Sequence, residues 1–207
     1  IAMMKNGQTL ISGLQVSSLK EDSLKLLMQK NITALAFEYL RDEGNILTVV
    51  RSMSEIVGTT SIHIASELLS THNGKGLMLG GVTGIPPTEI VIIGAGTVGE
   101  YAARTAIALG ADVKVFDNSV YHLRRLQNNI GSRLFTSVLQ PVVLQKALSK
   151  CDVAIGALRG NGRAPIVVTE TMMEYMKKGA VIVDISIDNG GCFESSQVTT
   201  HQNPTFV

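Results

Sequence analysis

Glu89–Asp117 reads EIVIIGAGTVGEYAARTAIALGADVKVFD, and its pattern decides the fold. Ile90 to Ile93 is an unbroken β-branched run, the composition of a strand buried on both faces. It passes directly into Gly94-Ala95-Gly96-Thr97-Val98-Gly99, then into a segment of helical period, then into a second apolar strand ending at Asp117. That order of strand, glycine-rich turn, helix and acid-terminated strand is the dinucleotide-binding fingerprint. Gly94 permits the tight turn, Gly96 lets backbone approach a pyrophosphate, and Gly99 lets helix pack closely on strand. The helix that begins at Thr97 turns its free N–H groups and the positive end of its dipole toward the phosphates. Asp117 stands where a carboxylate accepts hydrogen bonds from the adenosine ribose. A negative charge there repels a 2′-phosphate, so the expected cofactor is NAD rather than NADP.

Beyond Asp117 the alternation continues. Helices are expected at Val120 to Asn129, Pro141 to Ser149 and Thr169 to Lys177, with strands at Arg133 to Thr136, Val153 to Ala157 and Ala180 to Ile187. Strands and helices alternating at this length predict a Rossmann-type α/β fold with a doubly wound parallel sheet. Upstream, Ser52 with Glu55 three residues later reads as a capping box opening a long linking helix to about Thr71. Before it, Gln8 to Leu14 and Ile32 to Tyr39 read as strands, with a helix between them capped by Ser17-Ser18. Ile46 to Val50 reads as a short apolar return. This first region is strand–helix–strand without a full core, part of a second α/β domain. The division expected is 1–51 for the incomplete domain and 52–207 for the nucleotide domain with its linking helix.

The 207 residues are 45% hydrophobic and 17% charged, with a formal net charge of +1, which suits a globular chain. With no basic block, nucleic acid and anionic membrane are poor partners, and charged residues interrupt every apolar run before it could span a bilayer. Cys151 and Cys192 have no metal-ligand spacing and read as free thiols of a reducing, cytoplasmic compartment; no metal site is expected. Ile1-Ala2-Met3-Met4 has no signal-peptide character, and the chain reads as an internal piece of a longer protein.

Ligands of doubly wound sheets bind beyond the carboxyl ends of the strands. Besides the glycine-rich turn and Asp117, those ends carry Ala157, Leu158 and the run Ile185-Ser186-Ile187-Asp188. Ala157 and Leu158 suit packing beside adenine or ribose, or are ordinary sheet-end residues. Asp188, emerging from an apolar strand before Asn-Gly-Gly, suits a group that orients water or an amine near the nicotinamide, and equally suits an Asx-turn. His122 follows Asp117 closely enough to approach the adenosine. His63, His72 and His201 read as packing or solvated residues.

Three stretches carry a family resemblance: MSEIVGTTSIHIASELL, GKGLMLGGVTGIPPTEIVIIGAGTVGEYAA and KKGAVIVDISIDNGGCFESSQVTTHQNPTF. Together they resemble the family that joins alanine dehydrogenase to the NAD-binding subunit of proton-translocating transhydrogenase. Cys192-Phe193-Glu194 after Gly-Gly is the dehydrogenase form, where the transhydrogenase branch usually has Asn-Cys-Glu. The resemblance implies a nucleotide domain inserted into a discontinuous substrate domain, and a homo-oligomer, usually a hexamer. It also implies reversible oxidative deamination of L-alanine to pyruvate and ammonium, with hydride passing to NAD. Matching positions imply that Ser54, Thr97, Val98, Asp117, Ala157, Leu158 and Ile185 to Asp188 line the NAD site, with Asp188 facing the reacting carbon. Where the family places a histidine, this chain has Gln15, which can hydrogen-bond a substrate carbonyl or carboxylate but cannot carry the proton. Gln15 is therefore either a polar substrate contact or a spacer. Two other readings remain beside the dehydrogenase, a transhydrogenase NAD-binding subunit and an NAD-binding module without chemistry.

Overall fold

The computed structural model describes residues 1–14, 19–160 and 163–207. They form two units, Ile1–Ser54 and Glu55–Val207. In the first, β1 (Thr9–Ser12), α1 (Glu21–Gln29) and β2 (Thr33–Ala36) form one strand–helix–strand unit. The two strands pair in parallel, Thr9 opposite Thr33 and Ser12 opposite Ala36. Glu21 and Asp22 in the first turn of α1 favour its positive end, and Asn31 turns the chain beyond it at φ 50°. The expected strand to Tyr39 stops at Ala36, where the chain tightens into a 3-10 turn over Phe37–Tyr39. Gln15 and the expected cap Ser17-Ser18 lie outside the described residues.

Two upstream expectations are corrected. Ile46 to Val50 is not an extended return, because α2 (Thr48–Leu69) already begins at Thr48. Ser52 is therefore one turn inside the helix rather than at its cap, and its hydroxyl donates back to the carbonyl of Thr48 at 3.2 Å. A serine whose hydroxyl finds an acceptor four residues back is tolerated within a helix, and the capping-box spacing loses its meaning there.

The second unit is built on a five-stranded sheet. Its elements are β3 (Glu89–Ile93), α3 (Thr97–Ala108), β4 (Asp112–Phe116), α4 (Val120–Ile130), β5 (Phe135–Ser137), α5 (Pro141–Leu148), β6 (Val153–Gly156), α6 (Glu170–Met173) and β7 (Val181–Asp184). The spatial order is β5-β4-β3-β6-β7, and every neighbouring pair is parallel. From β3 the chain builds outward to β5, then returns across β3 to build β6 and β7 on its other side. The reversal opens a crevice at the carboxyl ends of β3 and β6, the place where doubly wound sheets bind ligands.

Period-two alternation along β3 explains why a β-branched run was needed. Ile90 and Ile92 enter one core with Ile62, Ala65 and Leu69 of α2, Ala102, Ala103 and Ala106 of α3, and Leu126 of α4. Val91 and Ile93 enter the opposite core with Leu144 and Leu148 of α5, Val168, Cys192 and Phe193. Both faces are apolar, so a polar residue at any of these four positions would be buried without a partner.

The two last elements are shorter than their sequence suggests. α6 ends at Met173, after which Met176 N–H donates to the carbonyl of Met173 at 2.9 Å, a tighter turn that leads to Lys177. Lys177 then reaches Asp152 at 3.1 Å. β7 ends at Asp184 because its carboxylate accepts Ser186 N–H at 2.9 Å and turns the chain into a 3-10 segment, Ile185–Asn189. Ile185 to Ile187 are thus not strand. Among the described residues no helix is long and apolar enough to cross a membrane, and no cluster of His, Cys, Asp and Glu could hold a metal ion.

Candidate functional site

The carboxyl ends of β3, β4, β6 and β7 bring most of the expected residues together. Gly94 closes β3 with φ +116°, and a Cβ there would lie 2.4 Å from the carbonyl oxygen of Ala157, so the glycine-rich turn presses directly on the end of β6. Gly99, in the first turn of α3, sits so close under the turn that a Cβ would fall 1.8 Å from the carbonyl oxygen of Gly94. Gly96 is the N-cap of α3 and carries no side-chain cap hydrogen bond. An added Cβ at Gly96 would meet no heavy atom of the described residues within 4 Å. Thr97 and Val98, half-buried, start the helix beside it.

Asp117 follows β4 and is buried, at 7% exposure. Its Oδ2 accepts Ala95 N–H at 2.7 Å and its Oδ1 accepts Ser119 N–H at 2.7 Å. The carboxylate is therefore first an organiser of the turn. Each oxygen still has a second lone pair for a ligand hydroxyl. His122, held in the first turn of α4 by its N–H donating to the Ser119 hydroxyl, places Nδ1 3.5 Å from Asp117 Oδ2.

Spacing alone did not reveal Arg125. From the next turn of α4 its Nη2 donates to the carbonyl of Ala95 at 3.1 Å, so both polar atoms of the Ala95 backbone are held, one by Asp117 and one by Arg125. Its Nε is buried and has no hydrogen-bond partner among the described residues. Ala157 and Leu158 leave β6 half-buried; Ser186 is buried, Ile185 and Ile187 are half-buried, and Asp188 is exposed at the end of its 3-10 turn. Ser54 belongs to α2 within the first unit.

The turn tests directly whether a dinucleotide suits these residues. Open space above Gly96, uncapped N–H groups at the start of α3, and a carboxylate with lone pairs to spare at the end of β4 are what a pyrophosphate and its adenosine ribose require. The residues fit the group.

Residues 60–207 match the family described as alanine dehydrogenase/PNT, C-terminal domain. The chain belongs to the alanine dehydrogenase/PNT family. Among its relatives is an alanine dehydrogenase of Mycolicibacterium smegmatis, 41% identical over 205 residues, covering 98% of this chain and 55% of the relative. An alanine dehydrogenase of Mycobacterium tuberculosis is 37% identical over 206 residues, covering 99% of this chain and 55% of the relative. A solved L-alanine dehydrogenase superimposes over 100% of this chain and 57% of its own, with a TM-score of 0.92 and 35% identity. The transhydrogenase from Sinorhizobium meliloti shares the fold over 93% of this chain and 57% of its own, with a TM-score of 0.77 at 23% identity. The chain spans little more than half the length of the relatives it matches. The alanine dehydrogenase/PNT match begins within α2 and runs through every element of the glycine-rich sheet, so the candidate site residues from Gly94 to Asp188 fall inside it.

Proposed function

We propose that this chain is the nucleotide-binding part, with a portion of the substrate domain, of an enzyme that converts L-alanine reversibly to pyruvate and ammonium with NAD. The observation that carries the reading is the 41% identity, over 98% of the chain, to a protein named alanine dehydrogenase. The geometry of the second unit supports it.

In this reading Gly96, Thr97 and Val98 hold the pyrophosphate through backbone N–H groups, on a turn kept tight by Gly94, whose own N–H is spent on the carbonyl of Phe116 at 2.7 Å, and by Gly99; Asp117, with His122 beside it, holds the adenosine ribose. The Asp117 carboxylate disfavours a 2′-phosphate and selects NAD over NADP. Ala157, Leu158, Ile185 and Ile187 form the apolar wall of the site and keep water from it, and Ser186 is a buried polar residue among them. A nicotinamide dinucleotide, when bound, supplies the hydride acceptor. Asp188 faces the substrate carbon, where its carboxylate orients water and ammonia and takes or returns a proton. Gln15 is assigned a hydrogen bond to the substrate carboxylate or carbonyl. Residues 1–51 belong to the substrate domain, and the whole protein is a cytoplasmic homo-oligomer, a hexamer by its family.

The test is an assay of the full-length protein for alanine-dependent reduction of NAD, with NADP alongside and Asp188→Asn as the variant. Turnover with NAD well above that with NADP is expected. Asp188→Asn should lower kcat about 100-fold or more, the scale of a lost acid–base group, while NADH binding persists. Absence of turnover in a protein that binds NADH would overturn the dehydrogenase and favour a binding module.

A further inference from the structure

A carboxylate at the end of a strand is costly to keep half-buried unless its lone pairs are used. Asp184, the last residue of β7, uses both oxygens, and among the described residues its donors come from one loop. Oδ1 accepts Ser186 N–H at 2.9 Å and lies 3.6 Å from the Cys192 thiol. Oδ2 accepts Cys192 N–H at 2.8 Å, Phe193 N–H at 3.3 Å and the Ser196 hydroxyl at 2.6 Å. Ser186 is the second residue of the 3-10 segment Ile185–Asn189; Cys192, Phe193 and Ser196 follow its far end. One side chain therefore grips both ends of the loop that carries Ser186, Ile187 and Asp188. The loop also closes on itself, with Gly190 N–H on the carbonyl of Ile187 at 2.9 Å and Gly191 N–H on that of Ser186 at 3.0 Å.

The same carboxylate is packed against the other half of the site. A Cβ on Gly156, the last residue of β6, would fall 2.6 Å from Asp184 Oδ1 and 2.6 Å from Cys192 Sγ. The next residue, Ala157, presses on Gly94. A continuous line of close contacts thus runs from Asp184 through the end of β6 to the glycine-rich turn. A shift of the loop relative to Asp184 changes the distance between Asp188 and the turn that holds the pyrophosphate.

We infer that Asp184 is the positioning residue for the nicotinamide end of the site: it touches neither substrate nor cofactor, and it sets where Ile185–Asp188 stands relative to Gly94–Gly99. The inference rests on the reading that these two segments bind opposite halves of one dinucleotide. In Asp184→Asn the side chain keeps its shape, but its amide nitrogen can no longer accept. Either the Ser186 tether or the Cys192–Phe193 tethers then face a donor.

The experiment compares two probes on the full-length protein by titration: ADP, which engages only the glycine-rich half, and NADH, which engages both. Asp184→Asn should leave ADP affinity within about threefold and weaken NADH about tenfold, the size of one lost hydrogen bond to a charged acceptor. It should also lower kcat by more than it raises KM for NAD. Equal weakening of both probes would mean a merely structural residue, and unchanged NADH affinity would mean no role; either result overturns the inference. Ser196→Ala removes one tether from outside the strand and serves if Asp184→Asn does not fold. The same selectivity is expected, at about threefold for NADH, and its absence overturns the inference equally. Wild-type protein that binds neither probe would instead sink the dinucleotide reading, and this inference with it.

Discussion

At Gly96 and Gly99 the same substitution should have opposite consequences. A methyl group on Gly96 meets no heavy atom of the described residues within 4 Å, whereas on Gly99 it would lie 1.8 Å from a backbone oxygen that cannot move aside. Gly96→Ala is expected to cost no more than about 1 kcal/mol, the difference between glycine and alanine at an N-cap, or about 2–4 °C in Tm. It should nevertheless weaken NADH binding about tenfold or more, because the methyl occupies the approach of the pyrophosphate. Gly99→Ala should cost about 3 kcal/mol or more by overpacking helix against strand. Thermal melts together with NADH titration of the full-length variants check both. Equal losses of stability would contradict the open space at Gly96. The glycine spacing was legible in the sequence because all three residues act within one turn. Arg125 was not, since its partner is the carbonyl of Ala95, thirty positions earlier, and nothing in a helix-period pattern says which arginine will reach back.

Among elements, β6 is fastened at both ends, and its amino end makes the pH-dependent contribution. There Asp152 accepts from Lys75 at 2.9 Å, from Lys177 at 3.1 Å and from Glu89 N–H at 3.1 Å, tying β6 to the start of β3 and to the two loops that flank it. Burial pushes this carboxyl up, but the Lys75 ammonium, the Glu89 N–H and the Lys177 ammonium outweigh it and hold its pKa below the usual carboxylate value. A folded-state pKa below the unfolded one means the contribution is complete above about pH 4 and is lost as pH falls through the folded value. Asp152→Asn should therefore destabilise the protein by about 1–3 kcal/mol near neutrality. The gap in Tm between variant and wild type should close as pH drops below about 4. Melting curves over a pH series check this, and a constant gap would mean the residue acts through shape alone. Element types were mostly readable from period and composition. The ends of α2, α6 and β7 were not, because in each a side chain or backbone group bonds across a turn: Ser52 to Thr48, Met176 to Met173, Ser186 to Asp184.

For the whole molecule, the two thiols report on whether the sheet is covered. Cys151 and Cys192 are fully buried in the same core, between the sheet and α5. Burial pushes both thiols up to about 12, and the negative charge of Asp152 beside one and Asp184 beside the other adds to the effect. The thiolate is the reactive form, so neither should react with a disulfide reagent at neutral pH while the protein is folded. Both should react together across the unfolding transition, measured by labelling along a denaturant series. Fast native-state labelling of Cys192 alone would mean that the loop beyond β7 opens locally and that Asp184 does not hold it.

From the sequence by itself came the parallel doubly wound sheet, the glycine-rich turn and the place of Asp117 at the end of the next strand. These rest on short-range chemistry: alternation within a strand, three glycines within six residues, an acid at the end of the next strand. The work Asp117 does on Ala95, the second clamp by Arg125, the Asp152 staple and the grip of Asp184 on its loop were decided by the tertiary structure alone. The first three join groups 22, 30 and 77 positions apart, and such pairings depend on which strand lies beside which; the fourth spans up to 12 positions and depends on how the loop after β7 folds back. Strand order in a sheet is set by how the helices cover both faces, a property of the packed molecule that no local pattern of residues records.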